Sequence, residues 1–291
     1  MTKFINNKDS VFIVGSDGSI GRELTSAFQT AGKTVWQSTR HRDLVNEQRI
    51  FLDLSEDPRC WTLPSATIKT AILCAAVTSQ KCCRLEPEYS RRVNVEGTVT
   101  LAKRLIDSGV FVIFISTNLV FDGQKPFAKV NDPVNPKTEY GRQKAEVESQ
   151  LSKLGEKVSI VRFSKVLSQD MLLFQGWIRG LKAKTEITPF SDMVMSPIPL
   201  YFAIDVLLNV GVKQIPGIIQ VSAAQDITYA EASLYIARKL GLNEKLINPV
   251  SYRKSGIGFA PLHTTLDLSR LESELGVTPP DIYKTLTTNL Y

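Results

Sequence analysis

Residues 11–21 of the chain read VFIVGSDGSIG, an apolar run followed by three glycines spaced three residues apart. The apolar run predicts a buried strand, and the amphipathic stretch at residues 20–30 predicts a helix. Glycines between a strand and a helix allow a tight turn with positive φ, and they let backbone N–H groups approach an anion. The glycine pattern alone is weak evidence, but its position between these elements predicts a pyrophosphate site. The residues predicted to form this site are Gly15, Gly18, Ser19, Ile20 and Gly21.

Apolar runs alternate with helical segments over the first 165 residues. The predicted strands cover residues 11–15, 34–38, 70–75, 110–116 and 158–163, and the predicted helices cover residues 20–30, 87–107 and 139–154. Strands that are apolar along their whole length and separated by helices are typical of a parallel sheet covered on both faces. The sequence therefore predicts an α/β fold with a doubly wound parallel sheet of the Rossmann type.

The pattern becomes less regular after residue 165, where prolines divide the chain into short elements. Helices are predicted at residues 200–210, 229–240 and 268–275, and a strand is predicted at residues 217–221. The chain has neither an internal repeat nor a low-complexity linker. We predict a dinucleotide-binding domain at residues 1–165, completed by elements from about residues 198–223, and a smaller C-terminal α/β part at residues 166–291 that mainly binds substrate.

Composition narrows the class of protein. The net charge of +6 comes from scattered basic residues, which suits an anionic substrate better than a nucleic-acid groove. The polar start and the lack of a long apolar run predict a cytoplasmic protein without a membrane partner. The four cysteines form no C-x-x-C motif, and the two histidines lie outside any metal-ligand motif. The sequence therefore predicts neither a disulfide framework nor a metal site. The oligomeric state stays open, a homodimer included.

The end of the second predicted strand indicates which nicotinamide cofactor fits. An acidic residue there accepts hydrogen bonds from the adenosine ribose, whereas an arginine accommodates a 2′-phosphate. The sequence at this point is STRHR, residues 38–42, without a carboxylate. Thr39, Arg40 and Arg42 therefore favour NADP(H) over NAD(H). Asp53 and Leu54, which follow an apolar pair, are predicted to hold the adenine edge.

Two further motifs give the chain a family resemblance. Residues 115–123 read ISTNLVFDG, and Tyr140 and Lys144 form a Y-x-x-x-K motif that begins 140 − 117 = 23 residues after Thr117. With these motifs the chain resembles the extended short-chain dehydrogenases/reductases, and more narrowly the dTDP-4-dehydrorhamnose reductase family. The resemblance covers nearly the whole chain and includes CAA at residues 74–76 and VNVEGT at residues 93–98.

The resemblance implies an NAD(P)-dependent oxidoreductase that acts on a nucleotide-diphosphate sugar, in deoxysugar or surface-polysaccharide biosynthesis. It also implies that Ala75, Ala76 and Thr78 belong to the cofactor site. Tyr140 and Lys144 would contact the cofactor too, with Lys144 holding the nicotinamide ribose.

The chemistry of the Y-x-x-x-K motif follows from its spacing. Residues four apart share one face of a helix, so Lys144 lies beside Tyr140. A free tyrosine has a pKa of about 10, and a nearby ammonium favours the phenolate, which predicts an acid and base in Tyr140. Thr117, at the end of a strand, is predicted to hydrogen-bond the carbonyl oxygen that is reduced. A second match at residues 235–239 has no such strand end before it, so we interpret it as packing.

Departures from the family pattern fall where the substrate is expected. Asn118 and Leu119 replace Asp-Tyr, and Cys74 replaces an asparagine. Lys165 stands where these reductases commonly carry a tryptophan that contacts substrate. We predict that Thr117, Asn118 and Lys165 bind substrate, in a pocket that differs in detail from that for dTDP-4-dehydrorhamnose.

Two alternatives to a reductase stay open. An epimerase would need a further acid or base across the sugar ring, for which Cys74 and His263 are the residues to consider. A cofactor-binding regulatory subunit would keep the fold without turnover. The intact Thr117, Tyr140 and Lys144 count against this second alternative, because a regulatory role does not require them.

Overall fold

The structure is a computed structural model that describes residues 10–65, 67–168, 172–255 and 258–288. Its strands are β1 (Ser10–Val14), β2 (Thr34–Thr39), β3 (Arg49–Phe51), β4 (Ile68–Leu73), β5 (Phe111–Thr117), β6 (Val158–Phe163), β7 (Val166–Leu167), β8 (Val194–Met195), β9 (Ile198–Pro199), β10 (Gly217–Val221) and β11 (Ile227–Thr228). Its helices are α1 (Ser19–Thr30), α2 (Gln80–Leu85), α3 (Pro87–Arg91), α4 (Thr98–Asp107), α5 (Glu139–Leu151), α6 (Leu172–Lys182), α7 (Leu200–Lys213), α8 (Tyr229–Lys239), α9 (Ser269–Leu275) and α10 (Ile282–Thr288). A π-helical segment, Arg92–Gly97, joins α3 to α4.

A seven-stranded sheet has the order β10-β6-β5-β4-β1-β2-β3. The pairings of β1 with β2 and β4, of β2 with β3 and of β4 with β5 are all parallel. The strand order reverses at β1, because the chain runs outward to β3 and then returns to β4 on the other side of β1. In doubly wound sheets the carboxyl ends of the strands at such a point open a crevice for a ligand. The glycine turn that follows β1 lies at this point.

Alternate residues of each strand point to opposite sides of the sheet. Because the strands are apolar along their length, both faces are buried, and helices cover each of them. On one face, Phe12 of β1 is buried in a cluster with Val147 of α5. On the other face, α7 packs closely against α1 and β5 at Gly211. A Cβ atom added to this glycine would lie 3.2 Å from the Phe28 ring of α1 and 3.5 Å from Ile113 of β5. The predicted doubly wound α/β fold is confirmed.

The contacts divide the chain into two compact units. Unit 1 holds residues 1–120, 138–162 and 204–219, and unit 2 holds residues 121–137, 163–203 and 220–291. Unit 2 has its own buried core, to which Leu167, Trp177 and Ile236 belong. The functional division near residue 165 stays a prediction.

Most predicted elements end within three residues of the observed ones, and β6 and β10 match at both ends. Residues 87–107, predicted as one helix, contain the π-helical segment instead. The elements that were not predicted are β3, α2, α6, α10 and the two-residue strands β7, β8, β9 and β11. With three and six residues, β3 and α2 are too short to show a period, and Gly176 and Gly180 lower the helix propensity of α6. Within the described residues, no helix combines the length and the apolar character that crossing a membrane requires.

Candidate active site

The glycine turn after β1 leaves no room for side chains. Gly15 has a φ of +83°, and a Cβ atom on it would lie 2.7 Å from the backbone of Ala75. A Cβ atom on Gly21 would lie 2.3 Å from the carbonyl oxygen of Gly15. The helix α1 begins directly after Gly18, which has no side chain to occupy the first N–H groups of the helix. The turn therefore offers backbone N–H groups to an anion.

A cleft of about 400 Å³ lies at the carboxyl ends of β1, β2 and β4. Among the residues predicted to bind the cofactor, those that line it are Gly15, Gly18, Thr39, Arg40, Asp53, Leu54, Ala75 and Ala76. The predicted cofactor residues outside its lining are Ser19, Ile20, Gly21, Thr78, Tyr140 and Lys144. Of these, the first three form the first turn of α1, directly after Gly18. The contacts of each residue with a cofactor stay predictions.

Eight more residues line the cleft and were not predicted from the sequence to bind the cofactor. They are Asp17, Ser38, His41, Leu52, Cys74, Val77, Tyr89 and Val93. Ser38 holds the glycine turn, since its hydroxyl oxygen accepts a hydrogen bond from the Gly15 N–H at 2.9 Å and its carbonyl accepts one from the Ser16 hydroxyl at 2.9 Å. Its place at the end of β2 was a usable signal. Tyr89 and Val93 reach the cleft from α3 and the π-helical segment, which no local pattern indicates.

The two arginines after β2 have different surroundings. Arg40 lines the cleft, and its Nη1 lies 3.4 Å from the hydroxyl of Tyr89. Arg42 is not among the lining residues, because its guanidinium lies 3.8 Å from the centroid of the Phe51 ring and 3.7 Å from a carboxylate oxygen of Glu56. Arg40 is therefore the arginine of this pair that lines the cleft, and the contact of either arginine with a 2′-phosphate stays a prediction.

A carboxylate also lies at this end of the cleft, although β2 contributes none. It belongs to Asp17 of the glycine turn. The Thr39 hydroxyl donates a hydrogen bond to its Oδ2 at 2.8 Å, and Arg49 of β3 forms an ion pair with its Oδ1. The Nε of Arg49 is buried and has no hydrogen-bond partner among the described residues.

Thr117, Tyr140 and Lys144 are brought together where α5 packs beside the end of β5. Thr117 is the last residue of β5, and its hydroxyl oxygen accepts a hydrogen bond from the Leu119 N–H at 3.2 Å. A Cβ atom on Gly141 would lie 2.3 Å from the carbonyl oxygen of Leu119. The first turn of α5, which carries Tyr140, therefore lies against the residues that follow Thr117.

Lys144 is buried, at 3% exposure, one helical turn after Tyr140. Its ammonium donates a hydrogen bond to the carbonyl oxygen of Ile115 at 2.8 Å. The same nitrogen lies 4.4 Å from the centroid of the Phe114 ring and 5.8 Å from that of Tyr140. In the sheet Leu73 pairs with Phe114, so the next residue of that chain segment, Cys74, which lines the cleft, lies beside Ile115. The motif thus adjoins the cleft.

Burial acts in opposite directions on these two groups. It lowers the pKa of Lys144 to about 8, and it raises the pKa of Tyr140 above its usual value. Lys144 together with an oxidised nicotinamide is predicted to favour the phenolate; Lys144 alone does not lower the pKa of Tyr140, because desolvation of the phenol dominates. Tyr140 therefore carries its proton at neutral pH, which suits a proton donor.

A buried hydrogen-bond network joins α5 to the loop after β4. The amide of Asn94 accepts a hydrogen bond from the Val77 N–H at 2.7 Å and donates one to the Val77 carbonyl at 3.0 Å. Gln143 accepts a hydrogen bond from Asn94 at 2.8 Å and donates to Ser90 at 2.9 Å and to Glu139 at 3.1 Å. Because Val77 lines the cleft, the helix that carries Tyr140 is tied to the wall of the cofactor site.

The other predicted substrate residues belong to different units. Asn118 lies in unit 1, and its amide oxygen lies 3.4 Å from the Thr117 hydroxyl. Lys165 lies in unit 2, between β6 and β7, with an exposed side chain. Their contacts with a substrate stay predictions.

The two residues considered for an epimerase have separate surroundings. Burial raises the pKa of the Cys74 thiol to about 12, so this thiol keeps its proton at neutral pH and is a poor base. His263 lies in unit 2, with its Nδ1 3.4 Å from a carboxylate oxygen of Asp226. Cys74 therefore gives the epimerase alternative no support.

Comparison with known proteins yields a family match over residues 9–290, and the family is described as the RmlD substrate binding domain. The dTDP-4-dehydrorhamnose reductase of Aggregatibacter actinomycetemcomitans is 25% identical, in an alignment that covers 95% of this chain and 96% of the relative. Methionine adenosyltransferase 2 subunit beta of Danio rerio is 26% identical, in an alignment that covers 90% of this chain and 84% of the relative.

Among solved structures, the dTDP-4-dehydrorhamnose reductase of Bacillus anthracis in complex with NADP aligns with a TM-score of 0.84. The alignment covers 97% of this chain and 99% of the other, at 20% sequence identity. At this identity the likeness is evidence for the fold.

Proposed function

The chain belongs to the family of the RmlD substrate binding domain, and from this membership we propose that it is an NADP(H)-dependent reductase of a keto nucleotide sugar. The observation that carries the proposal is the packing of Thr117, Tyr140 and Lys144 beside a cleft that is built around the glycine turn. An oxidoreductase of this kind needs both parts, a dinucleotide site and a proton donor next to it.

The residues of the cleft fit a dinucleotide. Side chains at Gly15 and Gly21 would strike the backbone of Ala75 and of Gly15, so only glycine permits this tight turn, and the turn presents the first N–H groups of α1 to a pyrophosphate. Arg40 offers a cation to the 2′-phosphate at the end of β2. Asp53 and Leu54 would hold the adenine.

When bound, the nicotinamide supplies a hydride to the carbonyl carbon of the sugar. Tyr140 donates its proton to the carbonyl oxygen, because burial keeps the phenol protonated until that oxygen gains negative charge. Thr117 donates a hydrogen bond to the same oxygen while its own oxygen accepts from the Leu119 N–H. Lys144 holds the nicotinamide ribose and offsets the charge of the resulting phenolate.

The substrate class is a nucleotide-diphosphate sugar. The net charge of +6 suits an anionic substrate, and the relative from Aggregatibacter actinomycetemcomitans is named for reducing such a sugar. We assign Thr117 and Asn118 to the reacting part of the sugar and Lys165 to the diphosphate. The replacements at residues 118, 119 and 165 predict a sugar pocket that differs from that for dTDP-4-dehydrorhamnose.

The test is turnover of keto nucleotide sugars by the purified protein. Turnover is measured as the decrease in NADPH absorbance. Tyr140→Phe removes only the proton donor, so kcat should fall by about 10²- to 10⁴-fold while NADPH still binds. Tyr235→Phe is the matched control, because Tyr235 belongs to the second Y-x-x-x-K match and packs 4.7 Å from the Tyr283 ring in unit 2. Equal turnover by Tyr140→Phe and the unmodified protein contradicts the mechanism.

The cofactor preference has its own test. We expect tighter binding of NADPH than of NADH, measured by titration of cofactor fluorescence. Arg40→Asp should narrow or reverse this preference, since the charge at the 2′-phosphate changes sign. Arg42→Asp makes the same reversal of charge at a residue that does not line the cleft, so it should alter the cofactor preference less. Equal effects of the two variants contradict the role of Arg40.

A second candidate function is a cofactor-binding subunit without turnover, which the match to methionine adenosyltransferase 2 subunit beta favours. This candidate predicts that the protein and Tyr140→Phe both bind NADPH and that neither reduces any keto nucleotide sugar. The same two measurements therefore separate the candidates.

A further inference from the structure

The carboxylate of Asp17 lies in the cleft at the end where the proposed 2′-phosphate is expected. It lines the cleft together with Thr39 and Arg40, and it accepts a hydrogen bond from the Thr39 hydroxyl at 2.8 Å. A carboxylate near the end of β2 favours the free ribose hydroxyl and repels a 2′-phosphate. The glycine turn thus supplies the acidic group that β2 itself does not carry.

Arg49 of β3 counters this charge. Its guanidinium pairs with Oδ1 of Asp17, and about a fifth to a third of each side chain is exposed, 22% for Arg49 and 32% for Asp17. β3 pairs with β2 so that Arg49 lies opposite Gln37, two residues before Thr39. Asp17, Arg40 and Arg49 together carry −1 + 1 + 1 = +1, and without Arg49 the sum is zero.

We propose that Arg49 determines the cofactor preference by neutralising Asp17, so that the cleft accepts the 2′-phosphate of NADP(H). This inference rests on the proposed function, and it adds a specificity-determining pair outside the segment at residues 38–42. The Asp17 carboxylate is the group that selects against the phosphate, and Arg49 is the group that cancels this selection.

The test is a double-mutant cycle read as the ratio of the Kd of NADH to the Kd of NADPH, at constant ionic strength. Arg49→Met should lower this ratio roughly tenfold, because the exposed charge of Asp17 repels the phosphate and accepts a hydrogen bond from the free ribose hydroxyl. Asp17→Asn should keep or raise the ratio. The double variant Asp17→Asn with Arg49→Met should return it close to that of the unmodified protein, since no uncompensated carboxylate is left.

The matched control is Arg59→Met, which removes an arginine from its ion pair with Asp57 at residues that do not line the cleft. This variant should leave the ratio unchanged. A purely structural role of Arg49 predicts that Arg49→Met weakens both cofactors equally and leaves the ratio unchanged, with or without Asp17→Asn, and that result overturns the proposal. If the unmodified protein bound neither cofactor, the proposed function itself would fail instead.

Discussion

Lys144 combines a buried position with a charge that the proposed chemistry requires. Its ammonium has one hydrogen bond, to the carbonyl of Ile115, and lies near the ring of Phe114 among the described residues. These contacts compensate only in part for the lost hydration, so the pKa of Lys144 falls from 10.5 to about 8. The group therefore loses its proton within a range of pH that binding experiments can reach.

NADPH affinity should fall as the pH rises through about 8, because neutral Lys144 no longer offers a charged donor to the ribose. The measurement is the Kd of NADPH against pH. Lys144→Met should bind more weakly at every pH and lose this dependence. A Kd of the unmodified protein that stays constant up to about pH 10 contradicts the assignment.

The same ionisation should affect folding with the opposite sign. Between pH 8 and 10.5 the unfolded chain keeps the proton of Lys144 and the folded chain does not. The free energy of unfolding therefore rises with pH over this window through this group. The contribution should disappear in Lys144→Met, which thermal unfolding at several pH values can show.

At single residues, the sequence predicted groups whose role depends on a local motif and missed those that depend on distant contacts. Gly15 is predicted from the position of its motif between a strand and a helix, and Lys144 from the Y-x-x-x-K motif together with the family resemblance. Asp17 stands inside the glycine motif in the printed sequence, yet its proximity to Arg49 depends on the pairing of β2 with β3. β3 has only three residues and shows no period, so this contact had no signal along the chain.

At the scale of elements, the helical run of residues 87–107 depends on more than its own pattern. Its apolar residues repeat as in one helix, but the structure contains the π-helical segment Arg92–Gly97. Within that segment, a Cβ atom on Gly97 would lie 2.2 Å from the carbonyl oxygen of Leu54, and Asn94 reaches the loop after β4. The π-helical segment thus packs against neighbours that are distant in the sequence. The spacing of apolar residues gives no information about such contacts.

Gln143→Met tests the link between α5 and the wall of the cleft. The substitution keeps the size of the side chain but removes the acceptor of an Asn94 N–H at 2.8 Å and leaves only the Cys83 sulfur at 3.8 Å, and a poorly satisfied buried group costs about 1–3 kcal/mol. We expect NADPH to bind roughly three- to thirtyfold more weakly, because Asn94, which holds Val77 through two hydrogen bonds, loses its own support. The Kd of NADPH and the thermal midpoint should be measured together.

Thr70→Val is the control for Gln143→Met. It removes a buried hydroxyl that donates to the carbonyl of Gly211 at 3.2 Å, between two residues that neither line the cleft nor bond to Val77. This variant should lower the thermal midpoint without a comparable change in Kd. If both variants lowered stability and neither changed the Kd, the network would be structural only.

At the scale of the whole molecule, unit 1 is assembled from three separate stretches of the chain. The prediction that elements from about residues 198–223 complete the nucleotide-binding domain came from the periodic stretches at residues 200–210 and 217–221. The residues at which the chain passes from one unit to the other could not be predicted, because they depend on which surfaces pack together and not on composition.

A fragment of residues 1–165 should therefore fail to fold. It lacks β10, which neighbours β6, and it lacks α7, where Gly211 packs near Phe28 and Ile113. The fragment would expose a strand edge and an apolar face, both of which favour aggregation. Solubility, far-ultraviolet circular dichroism and NADPH binding of the fragment should be compared with those of the full chain. A soluble fragment that binds NADPH as tightly as the full chain contradicts this expectation.

The late position of β10 also determines how this chain can mature during synthesis. Residues 164–216, which separate the end of β6 from the start of β10, must all be translated before the edge of the sheet is covered. The nascent chain carries an open β6 edge throughout that interval, and pairings between distant residues form slowly. Substitutions in α7 or β10 should then reduce yield in the cell more than they reduce the activity of the molecules that do fold, since their effect falls on the last step of assembly.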